Sequence, residues 1–324
     1  MDNISKLLPT LDVGDLSPAE LCQAFFIVSA GSIFMLQVFP DDMRRALLDY
    51  GARREPRSQA TGHKAKTKAE AEAPKEGFLD VLTSYGQLPH SWFIHFYITS
   101  VSWSIFWGWQ FLSKGSLMRT IAETQHQSAV NTQSPEVELT GTLVAWLLMS
   151  SQGIRRLSEC IFVMKPGSSP MWFVHWALGL AYYTALGTSV WIQGSGAILR
   201  SWESPQPIHF TPQIIIGAAV FGFAGSQQNN CHKYLASLKK YTFPNEGWFR
   251  YLICPHYTFE CLLYLSLAVV AAPTGSVFNK PVLCSLVFVL ANLGATAYGT
   301  KVWYAKKFGA DKVAGRWTMI PFVF

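Results

Sequence analysis

Residues 281–300 read PVLCSLVFVLANLGATAYGT and contain no Lys, Arg, Asp or Glu. About 20 apolar residues in a helix span the roughly 30 Å hydrocarbon core of a bilayer. This stretch is therefore long and apolar enough to cross a membrane as a single helix. It predicts that the chain is an integral membrane protein.

Six further apolar runs precede this stretch. They cover 19–39, 90–112, 139–164, 171–193, 210–226 and 253–272. Half of the 324 residues are hydrophobic and 14% are charged, whereas an ordinary soluble domain carries about 25% charged residues. The sequence thus predicts an all-α fold, a polytopic membrane protein of about seven transmembrane helices that form a single domain over 1–324.

Lys and Arg are unevenly shared between the segments that connect these runs. Alternate segments, beginning with the one after the first run, hold 19 of these residues, and the other segments hold 5. Because basic residues are retained on the cytosolic side, we expect a lumenal N-terminus and a cytosolic C-terminus. The cytosolic stretch 51–76 is rich in Ala, Lys, Arg and Glu and is predicted to be disordered. Residues 113–138 and 194–209 are predicted to be polar lumenal loops.

Several functional classes lack their motifs. There is no GxGxxG after a strand and no P-loop, GxSxG or HExxH. The six cysteines form no CxxC pair and have no zinc-ligand spacing, so neither disulfides nor a metal site is expected. No internal repeat is visible, which weighs against transporters built from paired halves. Nothing in the sequence indicates a nucleic-acid partner or an obligate protein partner.

Ionisable residues inside apolar runs are costly unless they are paired or line a cavity, so they mark candidate sites. The third run contains SQGIRRLSEC at 151–160, in which Arg155 and Arg156 precede Glu159 by four and three positions. This spacing allows an ion pair on one helix face. It also allows an arginine that faces a cavity and binds an anion. Both interpretations stay open at this point.

Three more polar clusters accompany the later runs. QQNNCHKYLASLKK follows the fifth run at 227–240, CPHYTFE opens the sixth at 254–260, and TKVWYAKKF ends the seventh at 300–308. All of them lie at predicted cytosolic ends. They predict one polar pocket that opens to the cytosol and continues into an apolar interior suited to a lipid-soluble substrate.

Six fragments in order resemble the steroid 5-alpha-reductase family of membrane reductases, and within it the polyprenal reductase branch. They are HFYITSV (95–101), IRRLSEC (154–160), CHKYLASLKK (231–240), GWFRYLICPHYTFE (247–260), WYAKKF (303–308) and IPFVF (320–324). The resemblance covers most of the chain. It implies a multi-pass enzyme of the endoplasmic reticulum membrane that uses NADPH to saturate the α,β double bond of a long-chain isoprenoid aldehyde, in the dolichol pathway that supports protein glycosylation.

The resemblance also implies which residues bind the cofactor, by their match to the family's motifs. These residues are Arg156, Gln228, His232, Lys239, His256, Tyr257, Glu260, Lys301 and Tyr304. Two positions depart from the family pattern. Lys301 stands where the family usually has His, and Gly153 stands where steroid-reducing members have a catalytic Tyr. His95 and Tyr97 in the second run are therefore the candidate catalytic proton donors.

Other functions remain open at this stage. The substrate of a related reductase could be a steroid or a secondary-metabolite enone. An isoprenylcysteine carboxyl-methyltransferase has a related helical layout in its C-terminal half and also handles prenyl chains, with S-adenosylmethionine in place of NADPH. A seven-span receptor shares the topology, but its polar residues would face outward. Binding of NADPH would separate the reductase from the other two classes.

Overall fold

The computed structural model describes residues 16–39, 85–165, 170–239 and 241–324. These residues form ten α-helices, which confirms the all-α prediction. The helices are α1 (Pro18–Val38), α2 (Ile94–Leu112), α3 (Ser116–Asn131), α4 (Leu139–Phe162), α5 (Phe173–Ile192), α6 (Ser195–Glu203), α7 (Pro212–Ser237), α8 (Pro255–Val270), α9 (Lys280–Phe308) and α10 (Asp311–Ala314). The stretch 51–76, predicted to be disordered, lies outside the described residues.

Side-chain caps determine where several helices begin. Ser17 accepts a hydrogen bond from the backbone N–H of Glu20, whose carboxylate accepts one from the N–H of Ser17 in return. At the starts of α7 and α9, Thr211 and Asn279 each accept a bond from a backbone N–H three residues further on. A proline follows each of these three caps, where its missing N–H costs no hydrogen bond.

A short pair of strands aligns two helices. β1 (Gln87–Pro89) pairs antiparallel with β2 (Pro170–Trp172). A 3₁₀ turn connects β1 to α2, and β2 leads directly into α5. The pairing holds the starts of α2 and α5 side by side, and the two helices then pack along one another.

The two segments predicted to be polar loops contain helices. α3 lies within 113–138 and α6 within 194–209. They pack against each other and bury Met118, Ala122 and Ile198 in a shared apolar cluster. Only one face of each helix is apolar, so the average hydrophobicity of these segments is low even though they are helical.

The main apolar core lies between α1, α4, α5, α7, α8 and α9. Phe26, Leu186, Leu263, Leu267 and Val282 are fully buried there. α7 packs along α8, α1 along α9, and α2 along both α4 and α5. α4 also contacts α7 and α8, so polar residues on these three helices can meet within the bundle.

Two described helices are long and apolar enough to cross a membrane, judged by length and composition. They are α1, with a mean hydropathy of 1.8, and α9, with 1.7. Large apolar side chains of α1, such as Val28 and Met35, are 67% and 66% exposed, as expected of a surface that faces lipid. These features suggest a membrane protein.

The prediction of seven spans is not confirmed, although each of the other five runs coincides with a helix. α4 carries three charged residues, and α8 has only 16 residues. Trp, Tyr and His side chains lower the hydropathy of α2 and α5. α7 continues to Ser237, well beyond the predicted end at residue 226, because its polar second half packs against α4 and α8.

Candidate active site

α4 presents four polar side chains on one face. Gln152, Arg155, Arg156 and Glu159 are spaced by three or four residues, so they are neighbours on the helix surface. Arg156 and Glu159 are only 7% and 2% exposed. Charges this deeply buried must be paired and hydrogen-bonded.

Glu159 is the centre of a buried network that joins α4 to α7. Its Oε1 accepts hydrogen bonds from Arg155 and from Asn229 Nδ2 (3.0 Å), and its Oε2 accepts one from Arg156. His232 Nδ1 lies 2.7 Å from the same Oε2 and 2.8 Å from Arg156 Nη1. Because a guanidinium only donates and a carboxylate only accepts, the tautomer of His232 decides which of these two contacts is a hydrogen bond.

Gln228 extends the network from α7 to α8. Its Oε1 accepts hydrogen bonds from Arg155 and from Gln152 Nε2 (3.3 Å). Its Nε2 donates to Glu260 and to the backbone oxygen of His256 (3.3 Å). The network therefore contains two arginines and two glutamates, and its charges balance when the histidines are neutral.

Tyr97 brings α2 into the same network. Its hydroxyl oxygen accepts hydrogen bonds from Arg156 Nε (3.1 Å) and Nη2 (2.7 Å), and the guanidinium carbon lies 4.7 Å from the centre of the phenol ring. Tyr97 is 6% exposed. Neither bond uses the hydroxyl hydrogen, so Tyr97 can still donate to a further acceptor. Two N–H groups of one charged guanidinium polarise the phenol and make that donation stronger.

Among the predicted site residues, this network contains Tyr97, Arg156, Gln228, His232 and Glu260, and it uses the backbone oxygen of His256. These residues lie near the start of α2, the end of α4, the end of α7 and the start of α8. Four separate elements thus supply the site.

His95 lies outside this network. Its Nδ1 accepts a hydrogen bond from Trp176 Nε1 at 3.2 Å, and its ring packs against Trp92 and Trp176. Two residues along a helix correspond to a rotation of about 200°, so His95 and Tyr97 face in different directions. The structure brings Tyr97, and not His95, to the charged groups.

Tyr257 and Tyr304 border an apolar cluster beside the network. Ile253, Val313 and Met319 are buried in this cluster. The ring of His256 connects the two regions, since its centre lies 4.2 Å from that of Tyr257 and 5.6 Å from that of His232.

Lys301 and Lys239 make no contact with this network among the described residues. Lys301 Nζ donates to the backbone oxygen of Arg316 at 3.0 Å and lies 3.5 Å from the hydroxyl of Thr318. It therefore fastens the C-terminal segment to α9. Lys239 is exposed beyond the end of α7.

The C-terminal segment covers the start of α8. The backbone N–H groups of Ile253 and Cys254 donate to the oxygens of Trp317 (2.9 Å) and Thr318 (3.0 Å). Arg316 donates to the backbone oxygens of Pro244 and Phe249 at 2.9 and 2.6 Å. Partial burial lowers the pKa of Arg316 from its ordinary value, but a guanidinium stays protonated at neutral pH. The segment forms a fixed wall beside Tyr257 and Tyr304.

The candidate residues chosen from the sequence did not include Glu159, Gln152 or Asn229. The RRLSE run indicated an ion pair, and the run of four amides at 227–230 was unusual for the end of a span. Neither pattern shows that Glu159 receives donors from two helices. That role depends on the packing of α4 against α7.

Comparison with known proteins shows which families this chain is similar to. Residues 170–324, which contain α7, α8 and α9, match the family described as 3-oxo-5-alpha-steroid 4-dehydrogenase. Polyprenal reductase of Xenopus laevis is 28% identical over 73% of this chain and 78% of its own length. Polyprenal reductase 1 of Oryza sativa subsp. indica is 28% identical over 73% of this chain and 79% of its own length. Polyprenal reductase of Homo sapiens is 27% identical over 73% of this chain and 78% of its own length. The resemblance that the motifs indicated is therefore confirmed: this chain is similar to the steroid 5-alpha-reductase family and, within it, to the polyprenal reductases.

Proposed function

We propose that this protein is an NADPH-dependent oxidoreductase that reduces the α,β double bond of a polyprenal. The contact between Arg156 and the hydroxyl of Tyr97, inside a buried and charge-balanced network, is the observation that carries the proposal. Similarity to polyprenal reductases supports the substrate class. We place the reaction in the endoplasmic reticulum membrane, on the route from polyprenol to dolichol that serves protein glycosylation.

Reduction of an enal adds hydride to the β-carbon and a proton to the α-carbon, while negative charge develops on the carbonyl oxygen. Fixed donors aimed at that oxygen lower the barrier. We assign this role to the O–H of Tyr97, with the guanidinium of Arg156 behind it. Glu159 in turn holds Arg156 in place, so the donor is oriented before substrate arrives.

NADPH would supply the hydride when it is bound. The amide, imidazole and carboxylate groups near Tyr97 suit the amide and the ribose hydroxyls of this cofactor, and the exposed Lys239 suits its phosphates. His256 Nδ1 is buried and has no hydrogen-bond partner among the described residues. A buried polar atom without a partner is costly, so this nitrogen is available to a ligand.

Within this proposal, Gln228, His256 and Glu260 would hold the polar groups of the cofactor. Arg156 and His232 lie next to them, and Tyr257 and Tyr304 would flank it on the apolar side. Lys239 would meet a phosphate. Lys301 is a weaker candidate for that role, because its ammonium is already bonded to the backbone oxygen of Arg316.

We also propose the finer topology of one domain with seven spans, a lumenal N-terminus and a cytosolic C-terminus. The start of α2, the end of α4, the end of α7 and the start of α8 would then all lie on the cytosolic side, and these are the elements that supply the network. The isoprenoid chain would lie among the apolar helices or in the surrounding bilayer.

The reaction itself can be tested with the purified protein in detergent micelles. NADPH and either a polyprenal or a 3-keto-4-ene steroid are supplied in parallel, and product masses are measured. We expect the polyprenal to gain two hydrogens. Turnover of the steroid alone would contradict the substrate assignment, and absence of NADPH binding would contradict the reductase.

Replacement of Tyr97 by Phe is expected to lower kcat for the enal by about 100-fold, the typical loss when one oxyanion donor is removed. The phenol ring, and with it the packing of α2 on the network, is kept. Affinity for NADPH should change little. Steady-state kinetics and a separate cofactor titration measure the two quantities.

Tyr183→Phe is the matched control for that variant. The ring centre of Tyr183 lies 5.8 Å from that of Tyr97, but no hydrogen bond connects it to Arg156 among the described contacts. We expect less than about threefold loss of kcat, since no donor to the carbonyl is removed. A large loss in Tyr183→Phe together with a small one in Tyr97→Phe would move the donor role to Tyr183.

Glu260→Gln and Tyr257→Phe test the cofactor assignment. Glu260 accepts a hydrogen bond from the side-chain amide of Gln228. Replacement of Glu260 therefore alters the orientation of this amide, which is proposed to bind the cofactor. Glu260→Gln is expected to weaken NADPH binding about tenfold, the effect of losing one charge-assisted hydrogen bond. Tyr257→Phe keeps the ring and removes one neutral hydroxyl, so about fivefold weaker binding is expected. Fluorescence titration of folded protein measures the dissociation constant, and unchanged values in both variants would refute the assignment.

A further inference from the structure

The seam between α2 and α4 connects the proposed active site with an apolar cavity. The two helices run antiparallel along this seam, because Arg156 donates to the hydroxyl of Tyr97 near one end and Trp146 Nε1 donates to the backbone oxygen of Ser104, at 3.1 Å, further along. Leu143 lines the cavity and precedes Arg156 by thirteen residues on α4. Thirteen helical residues correspond to about 20 Å, which is the length of the seam between the site and the cavity.

The cavity has a volume of about 160 Å³, and its walls are almost wholly apolar. They include the rings of Trp107 and Trp146 and the side chains of Leu112 and Leu143. Leu112 is 81% exposed, so the cavity is open at the surface of the bundle. An apolar cavity of about 150 Å³ accepts one benzene ring, which gains dispersion contacts with the walls. The cavity here therefore suits a hydrocarbon group of about five or six carbons.

Two straight stripes of exposed apolar side chains border the seam. They consist of Ile98, Ile105 and Leu112 on α2, and of Leu147, Ile154 and Ile161 on α4, all of which are at least 44% exposed. Successive members of a stripe are seven residues apart, and seven residues fall only about 20° short of two full turns. Each stripe therefore runs nearly parallel to the axis of its helix, along the length of the seam.

Both stripes lie on the same side of the seam. Tyr97 and Trp146 point from one helix to the other, since each bonds to the opposite helix. Ile98 follows Tyr97, and Leu147 follows Trp146, by one residue, which is a rotation of about 100° in the same sense. Equal rotations on two antiparallel helices that face each other lead to the same side. The two stripes thus form one continuous apolar track.

The track begins at the site and ends at the cavity. Ile98 is next to Tyr97, the proposed donor to the substrate carbonyl. At the other end Leu112, the last member of the α2 stripe, belongs to the cavity wall. Leu143 lies one helical turn beyond Leu147 and belongs to the same wall. A hydrocarbon chain that leaves the site along the track therefore reaches the mouth of the cavity.

We propose that the isoprenoid chain of the substrate lies along this track and places one isoprene repeat in the cavity. The inference rests on the proposed function, which puts the enal group at Tyr97. An isoprene repeat adds four carbon–carbon bonds of about 1.5 Å, which extend the chain by about 5 Å. About four repeats therefore cover the length of the track. The next repeat, with five carbons that include a methyl branch, matches the volume of the cavity.

Chain length tests this inference. Enals of three and six isoprene repeats are placed at equal mole fractions in lipid nanodiscs that contain the full-length protein, and kcat/KM is measured with NADPH. The shorter chain ends before the cavity, and the longer chain fills it. We expect kcat/KM to be at least about tenfold higher for the six-repeat enal, because apolar contacts that fill a cavity of this size are worth at least that factor. Equal values would overturn the inference and leave the reductase reaction in place. Turnover of neither enal would contradict the proposed function, and the inference with it.

Two variants locate the effect at the cavity. Leu143→Trp fills the cavity from its wall and should lower the ratio of the two kcat/KM values at least about fivefold. Leu112→Ser puts a hydroxyl group at the mouth and should lower this ratio about threefold. A general loss of active protein cancels in the ratio, and if Leu143→Trp does not fold, Leu112→Ser carries the test. A ratio that is preserved in the folded variants would overturn the inference and assign the cavity to a bilayer lipid.

Val28→Ser is the matched control for Leu112→Ser. Val28 on α1 is also apolar and 67% exposed, but it belongs neither to the track nor to the cavity wall. The ratio of the two kcat/KM values should be unchanged in this control. Equal falls in Val28→Ser and Leu112→Ser would attribute the effect to lipid-facing surface in general and would overturn the inference.

Discussion

A Glu159→Gln variant is expected to lose about 3 kcal/mol of unfolding free energy, the lower end of the range for breaking a buried ion pair. Gln keeps the shape of the side chain but removes the charge that balances Arg155 and Arg156. Because Glu159 is 2% exposed, water cannot replace the lost interaction. Within the described network, Glu260 would be the remaining counter-charge for the two cations. Denaturant titration in detergent micelles, followed by circular dichroism, measures the loss.

Glu123→Gln provides the matched control for this prediction. Glu123 pairs with Arg119 on α3 at 4.0 Å, and the two side chains are 58% and 46% exposed. Exposed pairs contribute about 0–1 kcal/mol, since water and salt screen them. The control should therefore change stability by less than about 0.5 kcal/mol. Equal losses in the two variants would show that Glu159 does not hold the network together.

Arg156→Lys is expected to lower kcat/KM for the enal by at least about 100-fold, a cost of about 2.7 kcal/mol in the transition state. The positive charge is retained, but an ammonium cannot reproduce the planar guanidinium, which bonds to Tyr97 and Glu159 at the same time. The Tyr97 hydroxyl would lose its orientation and much of its polarisation. Steady-state kinetics with a polyprenal and NADPH measure the effect.

The neighbouring Arg155→Lys change is the control for this variant. Arg155 bonds to Glu159, Gln152 and Gln228, and no contact connects it to Tyr97 among the described residues. Its replacement disturbs the same network at contacts that do not involve Tyr97. We therefore expect kcat/KM to fall by less than about tenfold. If Arg155→Lys is as damaging as Arg156→Lys, the network as a whole, and not the contact with Tyr97, controls the rate.

Much of the helical framework could be predicted from the sequence. The run at 281–300 lies inside α9, and the runs at 19–39 and 139–164 nearly coincide with α1 and α4. α3 and α6 were not expected, because each is apolar on one face only and its average composition resembles that of a polar loop. The pairing of β1 with β2 was not foreseen either, since three-residue strands leave no periodic pattern.

The site could be predicted in part. Arg156, Gln228 and His232 were chosen by their match to family motifs, and the structure places them together. The sequence does not distinguish His95 from Tyr97, because both are polar residues near the start of one apolar run. Only the rotation of α2 against α4 distinguishes them. It turns Tyr97 toward Arg156 and leaves His95 bonded to Trp176.

The sequence by itself determined the helical class, the approximate positions of the helices and the polar runs that supply the site. These are local properties, expressed in runs of apolar residues and in spacings of three or four positions. Only the tertiary structure decided that Glu159 is the centre of the network, that Tyr97 accepts hydrogen bonds from Arg156 and that Lys301 fastens the C-terminal segment. The contacts of Arg156 with Tyr97 and His232 join residues 59 and 76 positions apart. No local pattern specifies such contacts, because they depend on how separate helices pack.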